Sequence, residues 1–381
     1  MIYDNGEILR LPAFVDLHVH FREPGFSYKE TIASGSMAAA AGGYSDVFTM
    51  PNLNPVPDSI EHLSVQREII DSTALINVHP YGSITIGQKG GGQLVDIERL
   101  SSLVAGFSDD GRGVQSEELM LEAMRRCKAA GSIIVAHCEV DELLRGGYIH
   151  EGGYAQRHHH KGICSESEWR EVERDLRLVE ETGCRFHVCH VSTKESVSLI
   201  RAAKQKGLPV SCETAPHYLL LDDSMLQESG CWKMNPPIRS KADREALREG
   251  IADGTIDCIA TDHAPHSQEE KSRGLEHSAF GIVGLETAFP LLYTYLVGEG
   301  VITMERLVEL MSSAPRRIMN LSEDTDSYTL FDLSDEYTIN PDRFLSKGKA
   351  TPFAGWKVRG RCLKTVCNGR QVYKYTPRCS N

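Results

Sequence analysis

Short apolar runs, rich in valine, isoleucine and phenylalanine, recur along the chain and alternate with stretches of helical periodicity. Eight of these runs are candidate strands: residues 13–20, 45–52, 75–84, 103–110, 132–139, 185–192, 209–217 and 257–266. Their apolar side chains fall on both faces of the strand. This pattern is typical of a parallel sheet that is covered by helices on each side.

Helix start and stop signals lie between the candidate strands. Asp58 with Glu61 and Ser165 with Glu168 have the spacing of capping boxes, which satisfy free backbone N–H groups at a helix start. Further helical stretches are residues 115–131, 193–207 and 241–254, each ending at a glycine, and residues 284–298 and 304–313. Eight strands alternating with helices over about 250 residues predict an α/β fold, a (β/α)8 TIM barrel. A doubly wound open sheet is the structural alternative.

The sequence changes character after Asn320. Two segments there, 328–333 and 364–375, have the pattern of strands, with irregular sequence between them. We therefore predict a barrel over residues 10–320 and a small, reduced β appendage built from the chain ends, residues 1–9 and 321–381.

Composition and charge narrow the class of protein. Hydrophobic residues make up 41% of the chain and charged residues 25%, as in a soluble globular protein. The formal net charge of -12 disfavours nucleic acid and anionic membranes as partners, although a local cationic site can still bind an anionic substrate. No apolar run approaches the ~18 residues of a membrane helix, and the chain start lacks a signal-peptide pattern. Eleven cysteines without a C-x-x-C pair are typical of reduced thiols, so we expect a cytoplasmic protein.

Potential metal ligands stand where the candidate strands end. His18 and His20 end the first strand, and their i, i+2 spacing puts both imidazoles on one face. The fourth, fifth, sixth and eighth strands end in one such residue each: Asp110, His137, His190 and Asp262. The C-terminal ends of barrel strands form the mouth where active sites lie. Four imidazoles and two carboxylates are ligands suited to Zn2+.

Each of these motifs alone has an ordinary structural explanation, because half-buried histidines are common in strands. The whole set points to a metal site, since six buried polar groups left unpaired at separate strand ends would each cost stability. The run of His158, His159 and His160 sits between Arg157 and Lys161. We interpret this run as a solvated loop, with a metal role as the alternative.

Long motifs surround the candidate ligands. One is the segment Phe14-Val-Asp-Leu-His-Val-His-Phe-Arg-Glu-Pro-Gly25, and the others are Met50-Pro-Asn52, Lys233-Met-Asn-Pro-Pro237, Thr261-Asp-His-Ala-Pro-His266 and Ala279-Phe-Gly-Ile-Val-Gly-Leu-Glu286. Together they resemble the dihydroorotase branch of the amidohydrolase superfamily, over residues 10–320 and 344–373. Asp110 stands where many relatives have a carboxylated lysine, which resembles the bacterial branch bridged by aspartate.

The resemblance implies two zinc ions per chain, bridged by Asp110 and a hydroxide. The remaining ligands form two sets: His18, His20 and Asp262 for one zinc, and His137 and His190 for the other. Asp109 is the alternative bridging residue. Two zincs that share a hydroxide would lower its pKa toward neutrality and hold it beside a ring amide, which is a poor electrophile.

The same resemblance implies reversible hydrolysis of (S)-dihydroorotate to N-carbamoyl-L-aspartate, a step of de novo pyrimidine biosynthesis. Asp262 would carry the proton from the hydroxide to the leaving nitrogen. Arg22 lies two residues beyond His20, on the same strand face, and could fork onto the substrate carboxylate. The resemblance adds further substrate contacts: Asn52, Asn235, His266 and the backbone of Phe280 and Gly281.

Two other functions compete with this hypothesis. A related cyclic amidase, such as a dihydropyrimidinase, hydantoinase or allantoinase, acts on substrates without the carboxylate that Arg22 would bind. A non-catalytic homologue that scaffolds a partner would tend to lose metal ligands, whereas all six are present here. The resemblance also implies a homodimer, with aspartate transcarbamoylase as a candidate partner.

The chain departs from the family pattern at its N-terminus. Relatives carry a longer segment before the first strand motif, which here begins near Ala13. We therefore expect the C-terminal strands to lack sheet partners within the chain, and to be covered by a neighbouring subunit or poorly ordered. Leu53 also replaces the small polar residue that is common after Asn52.

Overall fold

A computed structural model of the chain describes residues 2–4 and 7–376. Its architecture is a ring of parallel strands surrounded by helices, with an antiparallel sheet packed against it. In this part of the chain, no helix is long and apolar enough to cross a membrane. The ten cysteines that it contains are all free thiols.

The strands of the ring follow the predicted order. Regular strands form at Phe14–Val19, Tyr44–Thr49, Asn77–Pro80, Ile133–Ala136, Arg185–Val188, Val210–Thr214 and Cys258–Ile259. The fourth predicted strand is reduced to a parallel bridge at Phe107, which pairs with Gly82 on one side and Ile134 on the other. A parallel bridge between Val19 and His263 joins the end of the ring to its beginning. This ring confirms the predicted TIM barrel, and the doubly wound alternative is wrong because an open sheet would leave two free edges.

Apolar side chains pack on both sides of the strands. Inside the barrel, one buried cluster gathers residues from different strands: Val15, Leu17, Phe48, Met50, Tyr81, Ile133, Val135, Cys189 and Cys258. The Tyr81 hydroxyl donates to the Leu17 carbonyl at 3.1 Å, which satisfies its polar atom within this core. A larger cluster joins the outer strand faces, for example Phe186, to helical side chains such as Val172. Burial on both sides explains why the strands are apolar on both faces.

Six longer helices surround the ring: Ile32–Ala41, Ile60–Thr73, Glu117–Ala129, Glu166–Thr182, Lys194–Gln205 and Lys241–Asp253. The sequence pattern did not predict the first of them, because most of its side chains are buried and its polar and apolar residues do not segregate. The two predicted closing helices are interrupted by π-helical turns. Their segments are Ala288–Leu292, Tyr293–Val297, Met304–Val308, Glu309–Ser313 and Ala314–Ile318.

Neither predicted capping box forms. Ser59, not Asp58, caps the second long helix, because its side chain accepts a hydrogen bond from the His62 N–H. The fourth long helix begins after Ser165 as predicted, but without a side-chain cap. The Glu168 carboxylate instead accepts hydrogen bonds from backbone and hydroxyl groups that follow the sixth strand. Glu168, which the local sequence pattern assigned to a capping box, therefore forms hydrogen bonds with residues that are distant in sequence.

The chain ends form one antiparallel sheet with the strand order Ile2–Asp4, Ile8–Pro12, Tyr328–Thr338, Lys357–Cys367 and Arg370–Lys374. Tyr328 pairs with Pro12 and Asp332 pairs with Ile8. The expectation that the C-terminal strands lack partners within the chain is therefore wrong, because the short segment before the barrel supplies the neighbouring strand. That strand spans residue 10, and the domain boundaries at residues 10 and 320 stay a prediction.

Aromatic packing joins this sheet to the barrel. The Phe331 ring centroid lies 4.0 Å from that of Phe289 and 5.7 Å from that of Phe14, which opens the first barrel strand. The Thr365 hydroxyl donates to the Ala40 carbonyl at 2.6 Å. The sheet therefore contacts both the first barrel strand, at Phe14, and the helix that follows it, at Ala40.

Candidate metal centre and active site

Six side chains from five strand ends meet at the mouth of the barrel: His18, His20, Asp110, His137, His190 and Asp262. In one half of this cluster, Asp262 Oδ1 lies 3.2 Å from His20 Nε2 and 3.5 Å from His18 Nε2. In the other half, His190 Nε2 lies 3.0 Å from His137 Nδ1. Asp110 joins the halves, because its Oδ1 is 3.5 Å from His190 Nε2 and 3.2 Å from His18 Nε2.

The adjacent carboxylates Asp109 and Asp110 point to different surroundings. Asp109 accepts hydrogen bonds from the backbone N–H groups of Ile84, Thr85 and Gly90, at 2.7, 3.1 and 3.1 Å. These hydrogen bonds use both carboxylate oxygens of Asp109 and connect it to the loop of residues 84–90. The geometry therefore favours Asp110, not Asp109, as the carboxylate shared by the two halves of the cluster.

The donor atoms of the cluster are compatible with metal binding. His18 Nε2 and Asp110 Oδ1 are buried and have no hydrogen-bond partner among residues 2–4 and 7–376. Unpaired buried polar atoms cost stability, and a cation at their centre removes that cost. Two nitrogens bound to one zinc at ~2.0–2.1 Å in tetrahedral geometry lie about 3.3 Å apart. The 3.0 Å between His137 Nδ1 and His190 Nε2 is close to that separation.

A buried carboxylate that the sequence analysis missed orients His18. Glu213, at the seventh strand, places Oε1 3.1 Å from His18 Nδ1 and Oε2 3.2 Å from His187 Nε2. Donation from His18 Nδ1 leaves Nε2 as the free nitrogen that faces the cluster. Burial raises the pKa of Glu213, but hydrogen bonds from the two histidines outweigh it and bring the pKa to about 2. A charged residue within the apolar run 209–217 was the available signal.

Glu139 is a second residue that the sequence analysis missed. Its Oε2 lies 3.4 Å from His137 Nε2, which leaves His137 Nδ1 to face the cluster. Its Oε1 accepts a hydrogen bond from Asn235 Nδ2 at 2.9 Å. Glu139 therefore connects the cluster to a predicted substrate contact. His217 was missed as well: it is buried nearby, and its Nε2 has no partner in the described part of the chain.

The two carboxylates of the cluster are anionic in this environment. Burial raises the pKa of Asp262, but the hydrogen bond from His20 and the proximity of His18 lower it to about 2. For Asp110, contacts with His18 likewise outweigh burial and hold the pKa well below its usual value. Burial and the positive charge of Arg22 lower the pKa of His20 to about 4, so its imidazole is neutral. Anionic carboxylates and a neutral imidazole are the forms that bind a metal. For His137, burial lowers the pKa, but the nearby Glu139 outweighs it and raises the pKa to about 9, so this imidazole must release a proton to bind a cation.

Three non-glycine residues of the site adopt the left-handed backbone region. The φ angles are 59° at Arg22, 31° at His190 and 47° at Asp262. Each such conformation costs on the order of 1–3 kcal/mol and persists only where the surrounding structure fixes it. The backbone strain therefore lies at residues whose side chains belong to the cluster and the adjacent pocket.

Arg22 and His266 form a cationic pocket beside the cluster. Arg22 Nη2 lies 3.3 Å from His266 Nε2, and Arg22 Nε donates to the Pro265 carbonyl at 3.3 Å. His266 Nε2 is 2.7 Å from the Phe280 carbonyl, so this nitrogen carries the proton, while Nδ1 accepts from Lys29 at 3.3 Å. Burial and the charge of Arg22 lower the pKa of His266 to about 3 and keep it neutral. A fixed guanidinium in such a pocket is suited to a carboxylate.

The other predicted substrate contacts are partly occupied. Asn52 Nδ2 donates to the Asp110 carbonyl at 2.8 Å, and Gln88 Nε2 donates to the same oxygen at 2.7 Å. The Oδ1 atoms of Asn52 and Asn235 are buried without a partner among the described residues. Phe280 is 38% exposed at the rim, and Gly281 beside it is buried. Each asparagine therefore keeps a carbonyl oxygen for a ligand.

The three consecutive histidines agree in part with the predicted solvated loop, because His158 and His159 are exposed and His160 is half-buried. His158 ends the helix Gly153–His158 and stacks on Tyr154, with ring centroids 4.2 Å apart. His160 Nδ1 lies 2.7 Å from the Tyr148 hydroxyl, and its Nε2 lies 2.8 Å from Glu228 Oε1. Within the described residues, the clusters that could hold a metal include none of the three. Local packing contacts therefore account for His158 and His160, whereas His159 is exposed at the C-cap of the helix.

Solved structures with the same fold define the class of the protein. The L-hydantoinase (dihydropyrimidinase) of Arthrobacter aurescens superposes with a TM-score of 0.85 at 25% identity, covering 97% of this chain and 86% of that one. A dihydropyrimidinase from Brevibacillus agri NCHU1002 gives 0.83 at 20% identity, covering 97% and 85%. The fold is thus the amidohydrolase-type TIM barrel, as the sequence motifs predicted.

Sequence comparison then gives the family. A model described as dihydro-orotase-like matches residues 6–196. A curated dihydroorotase of Fusobacterium nucleatum subsp. nucleatum is 50% identical over 94% of this chain and 86% of its own length. That of Geobacillus thermodenitrificans is 48% identical over 98% and 89%. The chain belongs to the dihydroorotase family.

Proposed function

We propose that the chain is a cyclic amide hydrolase that reversibly hydrolyses (S)-dihydroorotate to N-carbamoyl-L-aspartate, in de novo pyrimidine biosynthesis. Curated relatives named dihydroorotase, which match nearly the whole chain at 47% to 50% identity, support the assignment. Within the site, the observation that carries it is a histidine–aspartate cluster beside the Arg22 and His266 pocket. The substrate carries the matching groups, because its ring has both an amide to be attacked and a carboxylate.

The cluster would hold two zinc ions, with Asp110 common to both. The other ligands would be His18, His20 and Asp262 for one ion, and His137 and His190 for the other. When bound, the ions would supply Lewis-acid chemistry, which lowers the pKa of water and polarises a carbonyl oxygen. Glu213 and Glu139 would hold His18 and His137 in the tautomers required for binding.

Asp262 would move the proton. In ring opening it would accept a proton from the attacking water and deliver it to the leaving ring nitrogen. Burial raises its pKa, but His20 and His18 lower it to about 2, so at neutral pH the carboxylate is ionised and has a free site for a proton. In ring closure the same group would act as the acid, as microscopic reversibility requires.

Arg22 would orient the substrate by forking onto its carboxylate, next to a neutral His266. The free Oδ1 atoms of Asn52 and Asn235 would accept hydrogen bonds from the substrate. The backbone of Phe280 and Gly281 would cover the ring and limit access of bulk water.

The cellular setting is also part of the proposal. Ten free thiols in the described residues support a cytoplasmic location, because thiols stay reduced there. A homodimer, with aspartate transcarbamoylase as a candidate partner, is proposed from the family resemblance. Sedimentation of the purified chain, alone and with the transcarbamoylase, measures both associations.

The central test compares four cyclic amides with one preparation: dihydroorotate, dihydrouracil, hydantoin and allantoin. We expect kcat/KM for dihydroorotate to exceed the others by at least about 100-fold, because only dihydroorotate has the carboxylate that Arg22 would bind. Zinc is measured in the same sample, and about two ions per chain are expected. A chelated sample should lose turnover and regain it with zinc, and His137→Ala should lose one ion preferentially.

Each alternative predicts a different outcome. Faster opening of hydantoin or dihydrouracil would assign another cyclic amidase, the class of the fold neighbours. A sample that contains no metal and turns over neither dihydroorotate nor carbamoyl-aspartate would favour a non-catalytic scaffold.

A further inference from the structure

Lys271 is a buried lysine that the proposed chemistry does not use. It ends the short helix Gln268–Lys271 and is only 7% exposed. Its Nζ donates to three backbone carbonyls, at 3.0 Å for Lys233, 2.7 Å for Ala279 and 2.6 Å for Gly281. In the described part of the chain, no carboxylate forms an ion pair with it. The neighbouring Glu270 is instead paired with Lys29 at 2.9 Å.

A lysine at this position is costly for stability alone. Burying a charge without a counter-ion is unfavourable, and an apolar residue would avoid the cost. Burial lowers the pKa of Lys271 to about 7. The three carbonyls favour the charged form, because an ammonium has three donors for three acceptors. The arrangement therefore suggests a role that needs all three hydrogen bonds.

The three carbonyls belong to the two backbone segments that flank the site. Lys233 lies two residues before Asn235, and Ala279 and Gly281 lie on either side of Phe280. The Gly281 N–H also donates to the Lys233 carbonyl at 3.0 Å, so the two segments are joined directly. Because one ammonium binds a carbonyl of each segment, it adds a second connection and helps to fix the spacing between them.

The carbonyls of three consecutive residues are thus all held. Lys271 binds those of Ala279 and Gly281, and His266 binds that of Phe280 between them. The Phe280 N–H makes no hydrogen bond within residues 2–4 and 7–376. With the carbonyls fixed, this N–H has a fixed direction at the rim of the mouth and is free for a ligand.

We propose that Lys271 is a positioning residue that binds segments 233–235 and 279–281 into one rigid rim. This rim sets Asn235 and the Phe280 N–H against the ring of the bound cyclic amide. Lys271 does not touch the substrate, and its contribution is to order the rim before the substrate arrives. The inference rests on the proposed function, since it names the determinants of substrate binding in the same site.

The test is Lys271→Met, which keeps the length of the side chain and removes its donors. We expect KM for dihydroorotate to rise at least about tenfold while kcat changes by less than about threefold, because binding rather than proton transfer is affected. Zinc content should not change. The matched control is Lys206→Met, since that exposed lysine pairs with Glu180 on an outer helix, and its kinetics should equal those of the wild type.

Hydrogen exchange separates positioning from general destabilisation. In Lys271→Met, the Gly281 amide should exchange at least about tenfold faster, while the Val135 amide in the barrel should keep its rate. If the variant does not fold, exchange in the wild-type enzyme still decides, because the Gly281 amide must be protected before substrate is added. An unprotected Gly281 amide in the wild type, or unchanged KM in a folded variant, would overturn the inference. A wild type that fails to turn over dihydroorotate but protects this amide would instead overturn the proposed function.

Discussion

Asp262 is the proposed proton carrier. Its Oδ1 lies 3.2 Å from His20 Nε2 in the mouth of the barrel. Asp262→Asn keeps the shape and one ligand oxygen but cannot carry a proton. We expect kcat to fall by ~10²–10⁴-fold in both directions, which is the typical contribution of general acid–base catalysis. Steady-state rates with dihydroorotate and with carbamoyl-aspartate measure the effect.

The control for this variant is Asp253→Asn, a change on an outer helix where the carboxylate pairs with Arg201. It should leave kcat unchanged. The half of the cluster that contains His137 and His190 should keep its metal in Asp262→Asn. Near-normal turnover with both zincs bound would mean that another group carries the proton, and His266 would be the next candidate.

We expect the choice of substrate to depend on Arg22. A charge-assisted hydrogen bond contributes ~1.5–3 kcal/mol, so Arg22→Met should lower kcat/KM for dihydroorotate at least about tenfold. Zinc content should stay intact, because a charged guanidinium has no lone pair to donate to a metal ion. Arg125→Met, which removes an exposed pair with Glu181, is the matched control. Unchanged kinetics in Arg22→Met would show that the carboxylate is bound elsewhere.

At the scale of one element, the helix Lys241–Asp253 has a complete capping box. The Ser240 hydroxyl accepts from the Asp243 N–H, and the Asp243 carboxylate accepts from the Ser240 N–H at 3.1 Å. Asp243 also accepts from the Lys194 N–H at 3.0 Å, at the start of the preceding long helix. The cap therefore joins two helices of the outer layer.

Ser240→Ala should lower the free energy of unfolding by about 1 kcal/mol, the usual cost of losing an N-cap. Urea denaturation measures this change, and kcat should be unaffected because the helix lies outside the mouth. Ser64→Ala, at an exposed position within another helix, should change stability by less than ~0.5 kcal/mol. Equal stability of the two variants would show that the Ser240 cap contributes nothing.

At the scale of the whole molecule, the sheet of the chain ends and the barrel share one core. Phe331 is 1% exposed and packs on Phe289 and Phe14 of the barrel. Phe331→Ala should cost ~3–5 kcal/mol, as expected for a buried phenylalanine. The loss should appear in one unfolding transition that includes the barrel, followed by circular dichroism.

The control is Val65→Ala on the outer surface of a barrel helix, where the side chain is 40% exposed. Its effect should stay below ~0.5 kcal/mol. A barrel transition that is unchanged in Phe331→Ala would show that the sheet is an independent appendage.

The sequence by itself determined the layout of the barrel and most of the candidate cluster. Strand burial follows local periodicity, so the apolar runs marked the strand positions without knowledge of their neighbours. In a parallel barrel all strand C-termini meet at one mouth, so His18, His137 and Asp262 could be placed together from their positions alone. Long motifs then indicated the family.

The tertiary structure decided which of several chemically equivalent groups faces the cluster. Asp109 and Asp110 are neighbours in sequence, and their surroundings differ because a loop binds the carboxylate of Asp109. Glu213 reaches His18 across 195 residues of sequence, and no local pattern encodes such a contact. The sheet partner of the C-terminal strands was missed for the same reason. The spacing of apolar residues along a strand indicates which side chains are buried. Which strand lies beside it depends on where the rest of the chain folds.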